Sequence, residues 1–299
     1  MTGSEFQVPS ARISALATLA ALLEASAPKP GNVSPGRPFR DMRFEDFVAS
    51  AVACGPAFGC AAQRPLGETI LSAVGATREW TGANTNLGII LLFAPLARAA
   101  GGAGSAADLR AGLRGVLAAT TIEDARAVYA AIHAARPGGL GSVTDQDLAE
   151  EPTATLLETM KLAAARDSVA SEYASNYAIT FETGVPALRA ARAAGLDWSD
   201  AIIESFLALL VAKPDTLIAR KLGAVAAEVI SREADEVVRA GGVRSAGGRA
   251  AIAAFDSSLR DAQNSRNPGT TADLTAAALF VTLLEDGWRN DRSRNLRAQ

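Results

Sequence analysis

Apolar positions recur every three or four residues along most of this chain. Ile13, Leu16, Leu19 and Leu23 form one stripe, Leu66, Ile70, Leu71 and Val74 a second, and Ile122, Ala125, Val128 and Ile132 a third. That spacing gathers each set on one face of a helix and turns the face toward a core. Residues 153–181 contain neither proline nor glycine, which predicts one long helix there. The same periodicity predicts helices over 198–211, 215–239 and 270–286. No stretch alternates apolar and polar residues over a useful strand length. The expected fold class is therefore all-α: one compact, bundle-like domain of about ten helices. The irregular stretches 28–43, 53–65 and 136–152 are not polar low-complexity linkers, so the whole of 1–299 is taken as one domain. Residues 1–9 are expected to be disordered or tag-derived, and 287–299 to form a polar C-terminal tail.

Helix starts carry their own signals. Thr120-x-x-Glu123 and Thr270-x-x-Asp273 predict capping boxes, and Asp215, just after Pro214, predicts an N-cap.

Composition sharpens this picture. Hydrophobic residues make up 49% of the chain but aromatics only 5%, because alanine dominates, and alanine favours closely packed helices. With 29 basic and 32 acidic side chains, the net charge of −3 gives no electrostatic footprint for nucleic acid or an anionic membrane. The most apolar run, Leu87 to Leu96, is too short for the roughly 20 residues of a membrane span. No signal peptide is evident, and Cys54 and Cys60 lack the spacing of a zinc or redox motif. Both read as buried free thiols in a reducing compartment, and the expected location is the cytoplasm. The alanine-rich helices would suit a homodimer.

Four polar segments could carry chemistry. In Pro28-Lys29-Pro30-Gly31-Asn32-Val33-Ser34, two prolines restrict the backbone around a lysine, which then has less freedom to lose on gripping an anion. Arg37, Arg40 and Asp41 follow closely. Thr81 to Gly88 feeds polar residues, including Asn84 and Thr85, into an apolar helix, the arrangement in which backbone N–H groups and the helix dipole bind anions. Asp215-Thr216, with Arg220 and Lys221 farther along, makes a third cluster. Asn267 to Leu274, containing Thr270, Thr271 and Asp273, makes the fourth. Arg166-Asp167 lies between them, with Glu172, Tyr173 and Asn176 following at helical spacings. An N-cap or a solvated charge accounts for each segment singly. If the helix mouths converge, they build a pocket for phosphates and a metal.

In order along the chain, Pro28-Lys29-Pro30-Gly31, Gly82-x-Asn84-Thr85-x-x-Gly88, Asp215-Thr216 with Arg220, and Pro268-Gly269-x-x-Ala272-Asp273-Leu274 resemble the motifs of the triphosphoribosyl-dephospho-CoA synthases. The likeness runs from about 27 to 284. It implies an all-helical transferase of cofactor biosynthesis, serving the prosthetic group of decarboxylase acyl carrier proteins. ATP would lose adenine and pass its triphosphoribosyl group to the ribose 2′-hydroxyl of dephospho-CoA, or to a hydroxyl of another phosphate-bearing cofactor precursor. By that resemblance Lys29, Arg220 and Lys221 would hold the triphosphate, aided by Asn32, Asn84, Thr85, Gly88, Arg166, Thr216, Thr270 and Thr271. Mg²⁺ would sit on Asp41, Asp215 and Asp273, and acid–base work would fall to Asp167, Asp215 and Asp273. A negative group is required near C1′ as positive charge develops there. His133, the sole histidine, lies away from every motif and reads as structural. The chain departs from the family where Asn86-Leu87 replaces a His-Lys pair, where Lys221-Leu222 and Asp167-Ser168 alter two neighbouring runs, and where Thr270-Thr271 replaces Gly-Ser. Two rivals stay open: different nucleotide chemistry (phosphoryl transfer or hydrolysis, in a one-carbon cofactor pathway for instance), and a non-catalytic nucleotide-binding protein.

Overall fold

Two helices apolar on every side form the centre of the molecule, and the rest pack around them. A computed structural model describes residues 7–103, 108–137 and 145–288. Among these residues there are fourteen α-helices and no strand. They are α1 (Ser10–Ser26), α2 (Phe44–Gly59), α3 (Leu66–Trp80), α4 (Leu87–Arg98), α5 (Leu109–Ala118), α6 (Ile122–Ala135) and α7 (Leu156–Ala163). After them come α8 (Ser168–Ser175), α9 (Val185–Ala193), α10 (Trp198–Ala212), α11 (Thr216–Leu222), α12 (Ala224–Arg239), α13 (Ala246–Leu259) and α14 (Gly269–Asp286).

The central pair is α4 and α14. Ile89 through Ala97 are all buried, as is every residue from Leu274 to Leu284. A helix without a polar face has to lie inside. Phe93 stacks on Phe280 with centroids 4.5 Å apart, and Phe58 from α2 tilts against Phe93 at 5.7 Å. α1 packs on both α2 and α14, and α3 packs on α2, α4 and α6. A second apolar cluster joins Phe206 and Leu210 of α10 to Ile218, Ile230, Phe255 and Leu259 from α11, α12 and α13. Ala201, Ile202 and Leu209 on the same α10 belong to the main core. One helix thus serves both clusters.

The helix predictions for 198–211 and 270–286 match α10 and α14, but two predicted long helices are broken. The expected 153–181 helix stops after α7, because the Asp167 carboxylate accepts from Val169 N (2.8 Å) and Ala170 N (3.1 Å) and starts α8 afresh. It stops again at Asn176 and Tyr177, both left-handed at φ 54° and 59°. Buried Glu172 stabilises that reversal by accepting from Ile179 N (3.0 Å) and Thr180 N (2.7 Å), after which a π-turn over Thr180–Gly184 leads into α9. Side chains that bond locally to the backbone can end a helix without any proline or glycine. The expected 215–239 helix divides at Gly223, whose φ of 91° is favourable only for glycine. These breaks account for much of the excess over about ten helices.

Cap positions also shift. The box that opens α6 is Thr121 with Asp124, not Thr120 with Glu123: Asp124 N donates to Thr121 Oγ1 (3.1 Å) and Thr121 N to Asp124 Oδ2 (2.9 Å). The Thr120 hydroxyl instead receives Leu157 N at 3.1 Å. Helix α14 begins at Gly269 without a side-chain cap, so Asp273 is free of the capping box expected of it. Asp215 does cap α11, accepting from Leu217 N (2.8 Å) and Ile218 N (3.0 Å).

The fold begins before the first helix, since buried Val8 donates its N–H to Ala100 O at 2.8 Å. It extends to Trp288, stacked on Trp198 at 5.2 Å. The remainder of both expected tails, 1–6 and 289–299, lies outside the described residues. Cys54 is buried as expected, but Cys60 is only half-buried, and both are free thiols. Among the described residues no helix is long and apolar enough to cross a membrane.

Candidate active site

Four helix starts and one proline-bracketed loop meet at a single place. The loop ahead of α4 is tied to α2 and α3. Thr85 shares a hydroxyl–hydroxyl bond with Ser50, Asn86 Nδ2 donates to Thr77 Oγ1 (3.2 Å), and Asn84 Oδ1 receives Leu87 N (3.3 Å). The starts of α8, α11 and α14 are linked by threonines: Ser168 N donates to Thr216 Oγ1 at 3.2 Å, and that hydroxyl bonds to Thr270 Oγ1 at 3.3 Å.

Between these elements lies a cavity of about 950 Å³, near the upper end of the roughly 300–1,000 Å³ usual for ligand sites. Of the residues singled out by sequence, Asn32, Asn84, Thr85, Gly88 and Thr270 line it. So do the cations Arg166, Arg220 and Lys221, and the carboxylates Asp41, Asp167 and Asp273. Apolar side chains line it as well, Val128 and Ile132 of α6 and Leu156 and Met160 of α7, beside Tyr129 and Arg136.

Asp273 stands out chemically. Among the described residues it makes no side-chain hydrogen bond, and its carboxyl is held well above the usual range, chiefly by burial and then by the charges of Glu24, Asp215 and Asp167, with Arg220 opposing. Gly88 makes room for it: a Cβ at that position would sit 2.0 Å from Asp273 Oδ2. Arg220 pairs through Nη1 with Asp167, while its buried Nε has no partner. Asn267, also on the wall, has a buried unpartnered Oδ1. Lys221 Nζ donates to Asn264 O (2.9 Å), and Asn264 Nδ2 donates to Asp41 Oδ1 (3.3 Å), which braces this rim. Burial lowers the Lys221 ammonium, against the pull of Asp261, Asp215 and Asp41.

Four predicted residues are elsewhere. Lys29 is not on the wall: its fully buried ammonium pairs with Glu24 Oε1 at 2.9 Å and donates to the Glu24 and Ala27 carbonyls. All three of its N–H groups are thereby used, so none is free for a phosphate. Asp215 likewise has no room for a metal or a substrate proton. Besides capping α11 through Oδ1, it accepts from Thr271 N (2.7 Å) and Thr271 Oγ1 (2.8 Å) through Oδ2. It clamps α11 to α14, and Thr271 is the other half of that clamp. Thr216 is occupied in linking helix starts.

Sequence inspection missed Glu24, which lies on the cavity wall near the end of α1 and is 3% exposed. A signal existed, since Glu24 continues the buried face of Ala17, Ala20 and Ala21. A carboxylate on an apolar helix face needs a partner or a function. His133 is not on the wall; its Nε2 contacts Leu148 O at 2.6 Å.

Among the described residues, no three His, Cys, Asp or Glu side chains are grouped to hold a metal. A divalent cation here would therefore take most of its oxygen ligands from substrate phosphates and water, as Mg²⁺ commonly does.

Fold and site define an all-helical protein with a ligand cavity whose wall combines cations, a buried carboxyl and apolar side chains. Residues 10–292 match the ATP:dephospho-CoA triphosphoribosyl transferase family, and the chain belongs to that family. It is 34% identical over 97 residues to the 2-(5''-triphosphoribosyl)-3'-dephosphocoenzyme-A synthase of Klebsiella pneumoniae, covering 32% of this chain and 34% of that one. A protein of Pseudomonas syringae named as a probable synthase of the same kind is 36% identical over 101 residues, 34% of each chain. These curated matches span about a third of the relatives' length. The solved structure described as a triphosphoribosyl-dephospho-CoA synthase from Archaeoglobus fulgidus superposes with a TM-score of 0.61 at 29% identity, covering 81% of this chain and 99% of that one.

Proposed function

We propose that the protein is a transferase that moves the triphosphoribosyl group of ATP to a hydroxyl of dephospho-CoA, or of a similar phosphate-bearing cofactor precursor, releasing adenine. The observation that carries this reading is the cavity itself: the Asp273 carboxyl shares its wall with four cations, Arg136, Arg166, Arg220 and Lys221, and with apolar side chains. Arg220, with its spare Nε, works with Lys221 and Arg166 to hold the triphosphate, and the polar turns around Asn32, Asn84, Thr85 and Thr270 line its bed. Val128, Ile132, Leu156 and Met160 receive less polar parts of the two substrates. Asp273 takes the proton of the attacking hydroxyl, a task suited to a carboxyl whose proton affinity has been raised. Asp41 and Asp167 face the same space and offer oxygens to Mg²⁺ carried in with the triphosphate, whose charge the ion would neutralise. The reaction belongs in the cytoplasm, where ATP is supplied.

Mass spectrometry after incubation with ATP, Mg²⁺ and dephospho-CoA tests this directly. Free adenine together with a triphosphoribosyl adduct is the expected result. Adenine without the adduct would keep the chemistry and require another acceptor, whereas ADP, pyrophosphate or unchanged ATP would overturn ribosyl transfer.

A further inference from the structure

The proline-bracketed lysine, which cannot grip a phosphate, has a different task. Lys29 is held on every side. Its N–H donates to Ala27 O at 2.8 Å, and the next turn is fixed by Gly31, whose N–H donates to Asp256 Oδ1 at 2.8 Å. Asp256 is buried and paired in turn with Arg37 and Arg260. This bracing delivers one ammonium to one carboxylate, Glu24, at 2.9 Å. Glu24 has Lys29 on one side and the cavity on the other. A buried ion pair that served only stability would gain little over two apolar side chains of the same volume. This pair holds a carboxylate at the wall of a substrate cavity. Asp273 reaches the same cavity from α14, the helix against which α1 packs.

We propose that Glu24 is a catalytic carboxylate of ribosyl transfer, and that Lys29 is the positioning residue that keeps it at the cavity wall. The assignment rests on the reaction proposed above. In that reaction the bond from C1′ to adenine breaks and its electron pair leaves with the base. C1′ gains positive charge until the acceptor oxygen bonds to it. The hydroxyl proton passes to Asp273, adenine takes up one proton from water, and Asp273 then returns its proton to the hydroxide left behind, so atoms and charges balance. An anion beside C1′ attracts the sugar more strongly in the transition state than in ATP, which is what lowers the barrier. Glu24 and Asp273 then hold separate roles: one ion-paired with Lys29, the other without a hydrogen bond among the described residues and placed to receive a proton.

The test compares Glu24→Gln, Lys29→Met and the double variant by adenine release, with MgATP binding measured separately by calorimetry. Glu24→Gln is expected to lower kcat by about 100-fold or more while MgATP affinity changes less than about threefold. Lys29→Met should show the same split, and the double variant should fall no lower than Glu24→Gln alone. If Lys29→Met does not fold, the double variant, which leaves no unpaired buried charge, carries the comparison. Formate should partly restore adenine release by Glu24→Ala, an effect that a packing role would not produce. A Glu24→Gln protein within threefold of the unaltered kcat would remove Glu24 from the mechanism while leaving ribosyl transfer standing. If the unaltered protein releases no adenine, both the reaction and this role are wrong.

Discussion

Replacing Gly88 by alanine perturbs the site with a single methyl group. The new Cβ would lie 2.0 Å from Asp273 Oδ2 and 2.5 Å from its Cγ, against an ordinary contact of at least 3.4 Å. Something must yield by about 1.4 Å. The Asp273 carboxylate is the part free to do so, because no hydrogen bond restrains it. Helix α4 is buried from Ile89 to Ala97 and cannot shift as readily. A displacement of about 1 Å at a reacting group costs roughly 100-fold in rate, so Gly88→Ala should lower kcat for adenine release by about two orders of magnitude. Stability should hardly change. Alanine gains up to about 1 kcal/mol over glycine in a helix, which offsets much of the cost of swinging one short side chain. The assay is adenine release across ATP concentrations, alongside thermal melting. A folded variant with unaltered kcat would refute the argument, because it would show that Asp273 can leave its position without consequence.

Two further substitutions probe parts of the fold that support the site. Asp215→Asn keeps an oxygen able to cap α11 but turns an amide NH₂ toward Thr271 N, leaving that buried N–H without an acceptor, so it should destabilise the protein by about 2 kcal/mol, and thermal melting should show it; the Mg²⁺ dependence of its remaining activity should be unchanged, since a change would return Asp215 to the metal. Burial lifts the Glu172 carboxyl from 4.5 to about 7, despite the bonds from Thr180 and Ile179 that favour the anion. Its protonated form therefore contributes stability that is complete below about pH 4.5 and is lost as pH rises through about 7, a difference of about 3 kcal/mol. Glu172→Gln should flatten the fall in melting temperature between pH 5 and pH 8, and an undiminished slope would place that titration elsewhere.

Much of this molecule is legible in its residue pattern. Helical periodicity, alanine content and the absence of alternating runs suffice for the all-α class, since they act within one or two helical turns. Helices apolar on all sides, such as Leu87–Arg98 and Gly269–Asp286, declare themselves central because water cannot solvate any face of them. The polar turns that mark the site are legible too, because they interrupt that apolar pattern. Less visible are breaks made by side-chain acceptors. Asp167 ends one helix and begins another through bonds whose alternative, a continuous helix with a solvated aspartate, has the same local sequence.

Only the tertiary structure decides which charged groups face the cavity. Lys29 and Arg220 look alike as candidates for a phosphate, yet one is consumed by Glu24 and two carbonyls while the other keeps a free Nε. Asp215 and Asp273 both follow a proline in motif-like settings. One spends four acceptor positions joining two helices, and the other spends none. Glu24 belongs to no motif and still reaches the wall. Sequence specifies the chemical type of each group and, through periodicity, the face of its helix. Whether a charge is used up inside the protein or left for a substrate depends on partners tens to hundreds of residues away, and those distances are set by packing.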